Sequence, residues 1–191
     1  MSDFKIQNLF STPVWSVMVP NAAKLNSELL AAGGDYKPRT NYFNLPSPAV
    51  EQLRQIVLDK AHEIAQQYGW RYPISFVKGR QNPIGPQQSD SPHHHGSAKL
   101  VGVYYPKADA GQGDILLHDP RAGVDWQDPQ ARTDAGKTLR TFHRITPVSG
   151  LLLLFPGYLV HSVEHNPTKD VRVSIAIEIY TSQPSENDYL S

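Results

Sequence analysis

The feature that most constrains the fold is a change of hydrophobic period at Tyr72-Pro73. Upstream of it apolar residues recur at helical spacing. Downstream, short apolar or alternating runs follow one another to Tyr180, broken by Gly, Pro, Asn and Asp, and none sustains a 3.6-residue period. These runs are Ile74 to Val77, Leu100 to Tyr105, Asp114 to Leu117, Phe142 to Thr146, Gly150 to Phe155, Leu159 to Val163 and Val171 to Tyr180. A chain that closes its helical section early and then makes only short strands is expected to be α+β and mainly β, a sandwich or barrel packed on N-terminal helices.

The helical section is explicit. After strand-like runs at Phe4 to Phe10 and Val14 to Val19, Asn21 is placed to cap a helix with Leu25, Leu29 and Ala32 on one face, closed by Gly33-Gly34. A connector rich in Pro and Tyr runs from Asp35 to Leu45. Ser47-Pro48 then opens a second helix, with Val50, Leu53, Val57, Ala61, Ile64 and Tyr68 forming the apolar stripe and Gly69 ending it. His62 falls on the solvent side of that helix. One domain over residues 1–191 is expected, with supporting elements in 1–72, a β core in 73–181 and a polar tail in 182–191.

Charge narrows the function classes. Lys plus Arg and Asp plus Glu number 18 each, so no net field recruits nucleic acid, a membrane surface or a strongly charged partner. There is no cysteine, which removes disulfides and thiolate metal sites and leaves His and carboxylate as metal ligands, suiting iron, zinc, manganese, nickel or copper. The N-terminus lacks a signal pattern, and the longest apolar run, Gly150 to Val160, is too short to span a bilayer, so a cytoplasmic location is expected.

The chemistry concentrates around Pro92-His93-His94-His95, which leads into the strand-like run ending in Tyr104-Tyr105. In an extended segment residues two apart share a face, so His93 and His95 can converge while His94 turns away. The best third ligand is His161, in another strand-like run. The competing reading is a solvated His tract with no metal. Arg172 follows in Val171 to Ile179, where odd positions are β-branched and apolar and even positions are Arg, Ser, Ala and Glu. That even face is either solvated or the interior of a barrel, where an arginine needs a bidentate carboxylate. The polar loop at 119–137, with Asp119-Pro120-Arg121 and Trp126, is long enough to serve as a cover over a peptide, an amino acid or a small metabolite. His118, His143 and His165 have no evident partner and are expected to be structural or loop residues.

With these residues in view, the chain resembles the 2-oxoglutarate and Fe(II)-dependent oxygenases, and within them a bacterial and phage group. The resemblance rests on Leu9-Phe10-Ser11-Thr12-Pro13-Val14, on His93-His94-His95 with Val101-Gly102-Val103-Tyr104-Tyr105, on Gly111-Gln112-Gly113-Asp114-Ile115 through Asp119-Pro120-Arg121, and on Pro147, Gly150, Leu154-Phe155-Pro156, His161-Ser162-Val163 and Arg172-Val173-Ser174-Ile175. It implies a double-stranded β-helix, the jelly-roll or cupin-like barrel, with Fe(II) at its open end. By the same resemblance, His93, His95 and His161 hold iron, and Arg172 with Ser174 binds the far carboxylate of 2-oxoglutarate. Tyr105 either faces that co-substrate or is an ordinary barrel aromatic. The implied reaction is a dioxygenase reaction consuming molecular oxygen and 2-oxoglutarate and hydroxylating an unactivated C–H bond of an amino acid, peptide or small metabolite.

Two departures from the resembled pattern matter. The usual ligand set is two His and one carboxylate, whereas the second position here is His95. A carboxylate from Asp90 or Asp114 would displace His95 to an outer position. Val101 stands where the group has Ser, and Gly157-Tyr158 where it has a Ser-Trp type pair, which bears on the substrate pocket. Two other functions stay open: a cupin-like tri-His metalloenzyme that does not use 2-oxoglutarate, and a non-catalytic jelly-roll module.

Overall fold

Two antiparallel sheets face each other, and two helices cover the outer face of the larger one. The computed structural model describes residues 10–34, 36–37, 40–121 and 141–182. The elements are β1 (Trp15–Met18), α1 (Ala22–Gly33), a short 3-10 helix (Tyr42–Asn44), α2 (Pro48–Gln67), β2 (Ile74–Ile84), β3 (Asp90–His93), β4 (Leu100–Lys107), β5 (Ile115–His118), β6 (Phe142–Ile145), β7 (Leu151–Pro156), β8 (His161–Val163) and β9 (Arg172–Thr181). The larger sheet runs β1-β7-β4-β9-β2 and the smaller β3-β8-β5-β6. The expected strand at Phe4 to Phe10 lies outside the described residues up to residue 9, as do most of the loop after Arg121 with Trp126, and the tail after Ser182.

The larger sheet is buried on both faces, and the period of two assigns each side chain to one of them. On β4, Leu100 and Tyr104 pack toward the helices while Val101, Val103 and Tyr105 point between the sheets. β7 repeats this, with Leu152 and Leu154 on the helix side and Leu151, Leu153 and Phe155 on the other. The apolar stripe of α2, Val50, Leu53, Val57, Ala61 and Ile64, meets Ile175, Ile177 and Ile179 of β9 in the same cluster. Each such side chain, fully buried, contributes about 1.5–3 kcal/mol. Two buried hydrogen bonds fix the helix layer: Tyr104 Oη donates to Asn26 Oδ1 at 2.5 Å, and Tyr42 Oη donates to the Leu29 carbonyl at 2.9 Å.

Several local expectations differ from the structure. Asn21 occupies the N-cap position of α1, yet its side chain makes no capping hydrogen bond. Tyr68, on the expected stripe of α2, is half exposed and meets the edge of Trp15 at the surface. The stretch from 81 to 92, rich in Pro, Gly, Gln and Ser, has the composition of a loop, but residues 81–84 continue β2 along β9 and Asp90–His93 form β3. Both are edge strands of their sheets. There Pro83 and Pro92 can enter a strand without breaking an inner hydrogen-bond ladder.

Leu53, fully buried at the centre of the helix–sheet contact, sets a quantitative expectation. Leu53→Ala should lower unfolding stability by about 2–5 kcal/mol through lost burial and a cavity. His62→Ala, on the exposed side of the same helix, should change it by no more than about 0.5 kcal/mol. Urea denaturation of both variants checks this, and a neutral Leu53→Ala would contradict the packing described.

Candidate metal centre

Antiparallel pairing of β3 with β8 sets His93 directly opposite His161. Directly opposed residues project from the same face, and here the ring centroids are 4.4 Å apart. His95 arrives differently. β3 ends at His93, and the chain then turns: the His95 N–H donates to the Gly157 carbonyl at 3.0 Å, and the His95 carbonyl accepts from the Ala98 N–H at 2.7 Å. This turn, rather than strand alternation, swings His95 back until its ring centroid is 5.3 Å from those of both His93 and His161. His94 is exposed. A side chain at Gly157 would be driven into the Ala98 carbonyl, so the close approach of the two segments requires glycine there.

One nitrogen from each of His93, His95 and His161 lies within 4.8 Å of the other two. Every Nδ1 is already engaged. His93 Nδ1 is 2.7 Å from the Ser91 carbonyl, His161 Nδ1 is 3.0 Å from the Leu159 carbonyl, and His95 Nδ1 is 2.7 Å from Glu178 Oε1. A carbonyl or carboxylate only accepts, so each Nδ1 carries a proton, and in the neutral form of each ring the lone pair is on Nε2. Three imidazoles oriented through Nδ1 by outer acceptors, each with Nε2 left to ligate in the neutral form, are a donor set that suits a first-row metal ion. Burial drives the His161 pKa down to about 4, with the neighbouring His93 and His95 pushing the same way against the Leu159 hydrogen bond and Asp90. His161 is therefore neutral and ready to ligate across the physiological range. Glu178 lies below its ordinary value: burial would raise it, but hydrogen bonds from Tyr180 and His95 and the charge of Lys78 outweigh that.

Arg172 is 1% exposed. The even face of β9 is thus interior, not solvated. Its Nη1 donates to the Gly113 carbonyl at 3.1 Å, its Nε has no hydrogen-bond partner, and among the described residues it makes no ion pair. Gly113 sits at φ +91 with no room for a side chain against the Glu164 carbonyl. The guanidinium carbon is 5.5 Å from the Tyr105 ring centroid, and burial raises the Tyr105 hydroxyl to about 12, so it stays a neutral group. Burial also lowers the Arg172 pKa, opposed by Tyr105, Asp90 and Asp114, though a guanidinium keeps its charge in any such setting. An unpaired buried cation with an orphaned donor fits an incoming carboxylate.

His93, His95, His161, Tyr105, Arg172 and Ser174 line one cleft of about 390 Å³ that opens to solvent. All six residues expected from sequence are brought together. Ser174 Oγ donates to the Asn82 carbonyl at 3.3 Å. Asp90 also lines the cleft, 3.4 Å from Asn82 Nδ2, but lies outside the three-nitrogen group; Asp114 is turned toward Arg144 at 3.7 Å. His118 bonds Ser162 Oγ at 3.0 Å, and His143 and His165 are exposed. Sequence reasoning missed Arg80 and Asn82 on β2, which are in register with Ala176 and Ser174, and it gave Glu178 no role. The signal for Glu178 was present: it shares the even face of β9 with Arg172.

A family model described as "Putative 2OG-Fe(II) oxygenase" matches residues 81–178, just over half of the chain. The protein belongs to this 2-oxoglutarate and Fe(II)-dependent oxygenase family, whose cofactors are Fe(II) and 2-oxoglutarate. Solved structures agree on the fold. A Pseudomonas putida prolyl-4-hydroxylase matches at 13% identity and TM-score 0.66, over 92% of this chain and 96% of that one. A Trichoplax adhaerens prolyl hydroxylase, in complex with a peptide fragment of the hypoxia inducible factor oxygen degradation domain, matches at 12% and 0.62, over 96% and 89%. The non-heme alpha ketoglutarate dependent carbocyclase SnoK from nogalamycin biosynthesis matches at 10% and 0.59, over 90% and 80%. The architecture is thus the double-stranded β-helix. Among curated proteins, none matches this sequence. Among the described residues, no helix is long and apolar enough to cross a membrane.

The depressed His161 pKa has a consequence for the metal-free protein. Above about pH 6.5 the imidazole is neutral in both folded and unfolded chains and contributes no pH dependence. As pH falls from there to about 4, the unfolded chain takes up a proton that the folded one refuses, so stability declines, by a total on the order of 3 kcal/mol. Urea melts of metal-free wild type and His161→Asn between these pH values test it: the wild type should lose stability more steeply on acidification. Equal slopes would mean that His161 is not held neutral.

Proposed function

We propose that the protein is a dioxygenase that hydroxylates an unactivated C–H bond of an amino acid, a peptide or a small metabolite, with His93, His95 and His161 as the ligands of Fe(II). The observation that carries this reading is the coexistence, in one cleft, of a three-imidazole cluster and a buried guanidinium with no anionic partner among the described residues. Either feature alone has several explanations. Together they match a metal-chelating dicarboxylate, one end at the metal and the other at an arginine.

Fe(II) and 2-oxoglutarate, when bound, would supply the oxidising chemistry: molecular oxygen gives one atom to 2-oxoglutarate as it loses carbon dioxide and becomes succinate, and the other to the substrate C–H bond, which becomes C–OH. The chain's own residues orient and insulate that reaction. Arg172 offers two parallel N–H donors to the far carboxylate, and Gly113 and Tyr105 hold its plane. Ser174, on the same face of β9, donates its hydroxyl to the Asn82 carbonyl and would serve the carboxylate only by rotating away from it. Val101, Val103 and Ile115 wall the cleft and exclude water. Substrates related to amino acids or peptides are favoured by the likeness to two prolyl hydroxylases, one of them in complex with a peptide.

One observation favours a second reading. The metal cluster contains no carboxylate, which also suits a tri-His metalloenzyme whose Arg172 binds the carboxylate of its substrate. The two readings separate in one experiment. Metal-free protein is mixed anaerobically with Fe(II) and then with 2-oxoglutarate, and visible absorption is followed. A charge-transfer band is expected in the wild type and should be lost in His161→Ala. In Arg172→Lys, which keeps the charge but not the planar fork, 2-oxoglutarate affinity should fall by about tenfold or more. Metal binding with no 2-oxoglutarate-dependent band would favour the tri-His reading.

A further inference from the structure

The three imidazoles are alike in exposing one nitrogen to the metal position, but their outer contacts are not alike. His93 and His161 each donate to a neutral backbone carbonyl, of Ser91 and Leu159. His95 alone donates to an anion: its Nδ1 is 2.7 Å from Glu178 Oε1. The other oxygen of that carboxylate, Oε2, accepts from Tyr180 Oη at 2.7 Å and lies 3.8 Å from Lys78 Nζ. Glu178 is therefore held at both oxygens, on a strand whose register also sets Arg172. Its side chain is 24% exposed and that of His95 13%, so solvent screening of the pair is limited.

The charge balance of the centre gives this contact its meaning. A divalent ion on two imidazoles and a carboxylate carries a net charge of about +1, whereas three neutral imidazoles leave it at +2. A carboxylate that accepts the outer N–H of a ligating imidazole pulls that proton toward itself, makes the imidazole a stronger donor and lowers the charge felt at the metal. We propose that Glu178, braced by Tyr180, is the positioning residue that replaces from outside the ligand shell the carboxylate missing from inside it, raising metal affinity through His95. The inference rests on the three-histidine reading of the site. It predicts that His95 is the strongest donor of the three, and that the charge of Glu178, beyond its shape, is what the centre uses.

The test reads metal binding, not turnover. Co(II) affinity and the Co(II) electronic spectrum are measured on the whole 191-residue chain for wild type, Glu178→Gln, Tyr180→Phe, His161→Ala and Glu164→Gln, the last removing a carboxylate just after β8 that pairs with Arg144. Glu178→Gln keeps an acceptor for His95 but not the charge. It should weaken Co(II) binding by about tenfold to a hundredfold and shift the visible bands. Tyr180→Phe should move both in the same direction by less, and Glu164→Gln should move neither. Co(II) affinity in Glu178→Gln equal to wild type would overturn the proposal. Unchanged affinity in His161→Ala would instead overturn the three-histidine site. A measurement on the unaltered chain covers the case in which Glu178→Gln fails to fold: in the Zn(II)-loaded protein the His95 Nδ1 proton should resonate well downfield of those of His93 and His161, and three similar positions would refute the contact's special role.

Discussion

β9 lies between β2 and β4, and everything that defines this molecule depends on that strand being buried on both faces. Its odd positions, Ile175, Ile177 and Ile179, join the core under the two helices. Its even positions, Arg172, Ser174, Ala176 and Glu178, turn into the barrel. A strand exposed on one side could slip its register with modest penalty, but here a slip by one residue would drive a guanidinium and a carboxylate into an aliphatic core while expelling three isoleucines. The core therefore holds the site in register. Because β2 pairs with the same strand, Asn82 and Arg80 are delivered beside Ser174 and Ala176 by the same constraint.

The smaller sheet contributes through a different device. β3 and β8 are short, and β3 contains Asp90, Ser91, Pro92 and His93, with no aliphatic residue to drive its formation. It exists as a strand through pairing with β8, which in turn pairs with β5 in the interior of the sheet. That non-local support sets His93 against His161. The neighbouring turn, closed on Gly157, adds His95. Two kinds of backbone contact thus assemble the three imidazoles, and the rings are then oriented through their outer nitrogens by Ser91, Leu159 and Glu178.

This division explains what could be read in advance. The alternation of β9 and the 3.6-residue stripe of α2 are local periodicities tied to burial, so the helix and the last strand were legible from residues alone, while the same alternation left Arg172 either solvated or interior until the fold placed it. His161 and Arg172 were legible as a pair through their order along the chain. What escaped was non-local or made by backbone. Residues 81–84 look like loop because Asn82 and Pro83 carry no strand signal, and only their pairing with β9 makes them a strand. The hydrogen bonds from His93 and His161 end on carbonyls, which leave no trace in side-chain identity. Glu178 was visible on the right face, but its bond to His95, 83 residues away in sequence, needed the fold. The expected cap at Asn21 erred in the opposite sense: residue type was right, yet the side chain makes no cap.

The electrostatics of the cleft show why these parts belong together. A buried, unpaired guanidinium would ordinarily be a severe penalty, and Arg172 is only partly relieved by one carbonyl and the face of Tyr105. Adding a divalent ion at three neutral imidazoles puts further positive charge into the same space. Asp90 lines the cleft, Asp114 acts on Arg172 from beside it, and Glu178, behind His95, is already shared among His95, Tyr180 and Lys78. On the proposed reading the loaded site would be strongly anion-seeking, and a dicarboxylate reaching both the metal and Arg172 would neutralise both centres at once. On this view the absence of a carboxylate ligand does more than remove a metal–oxygen bond. It raises the attraction of the site for its anionic co-substrate and leaves retention of the ion to whatever makes the imidazoles better donors.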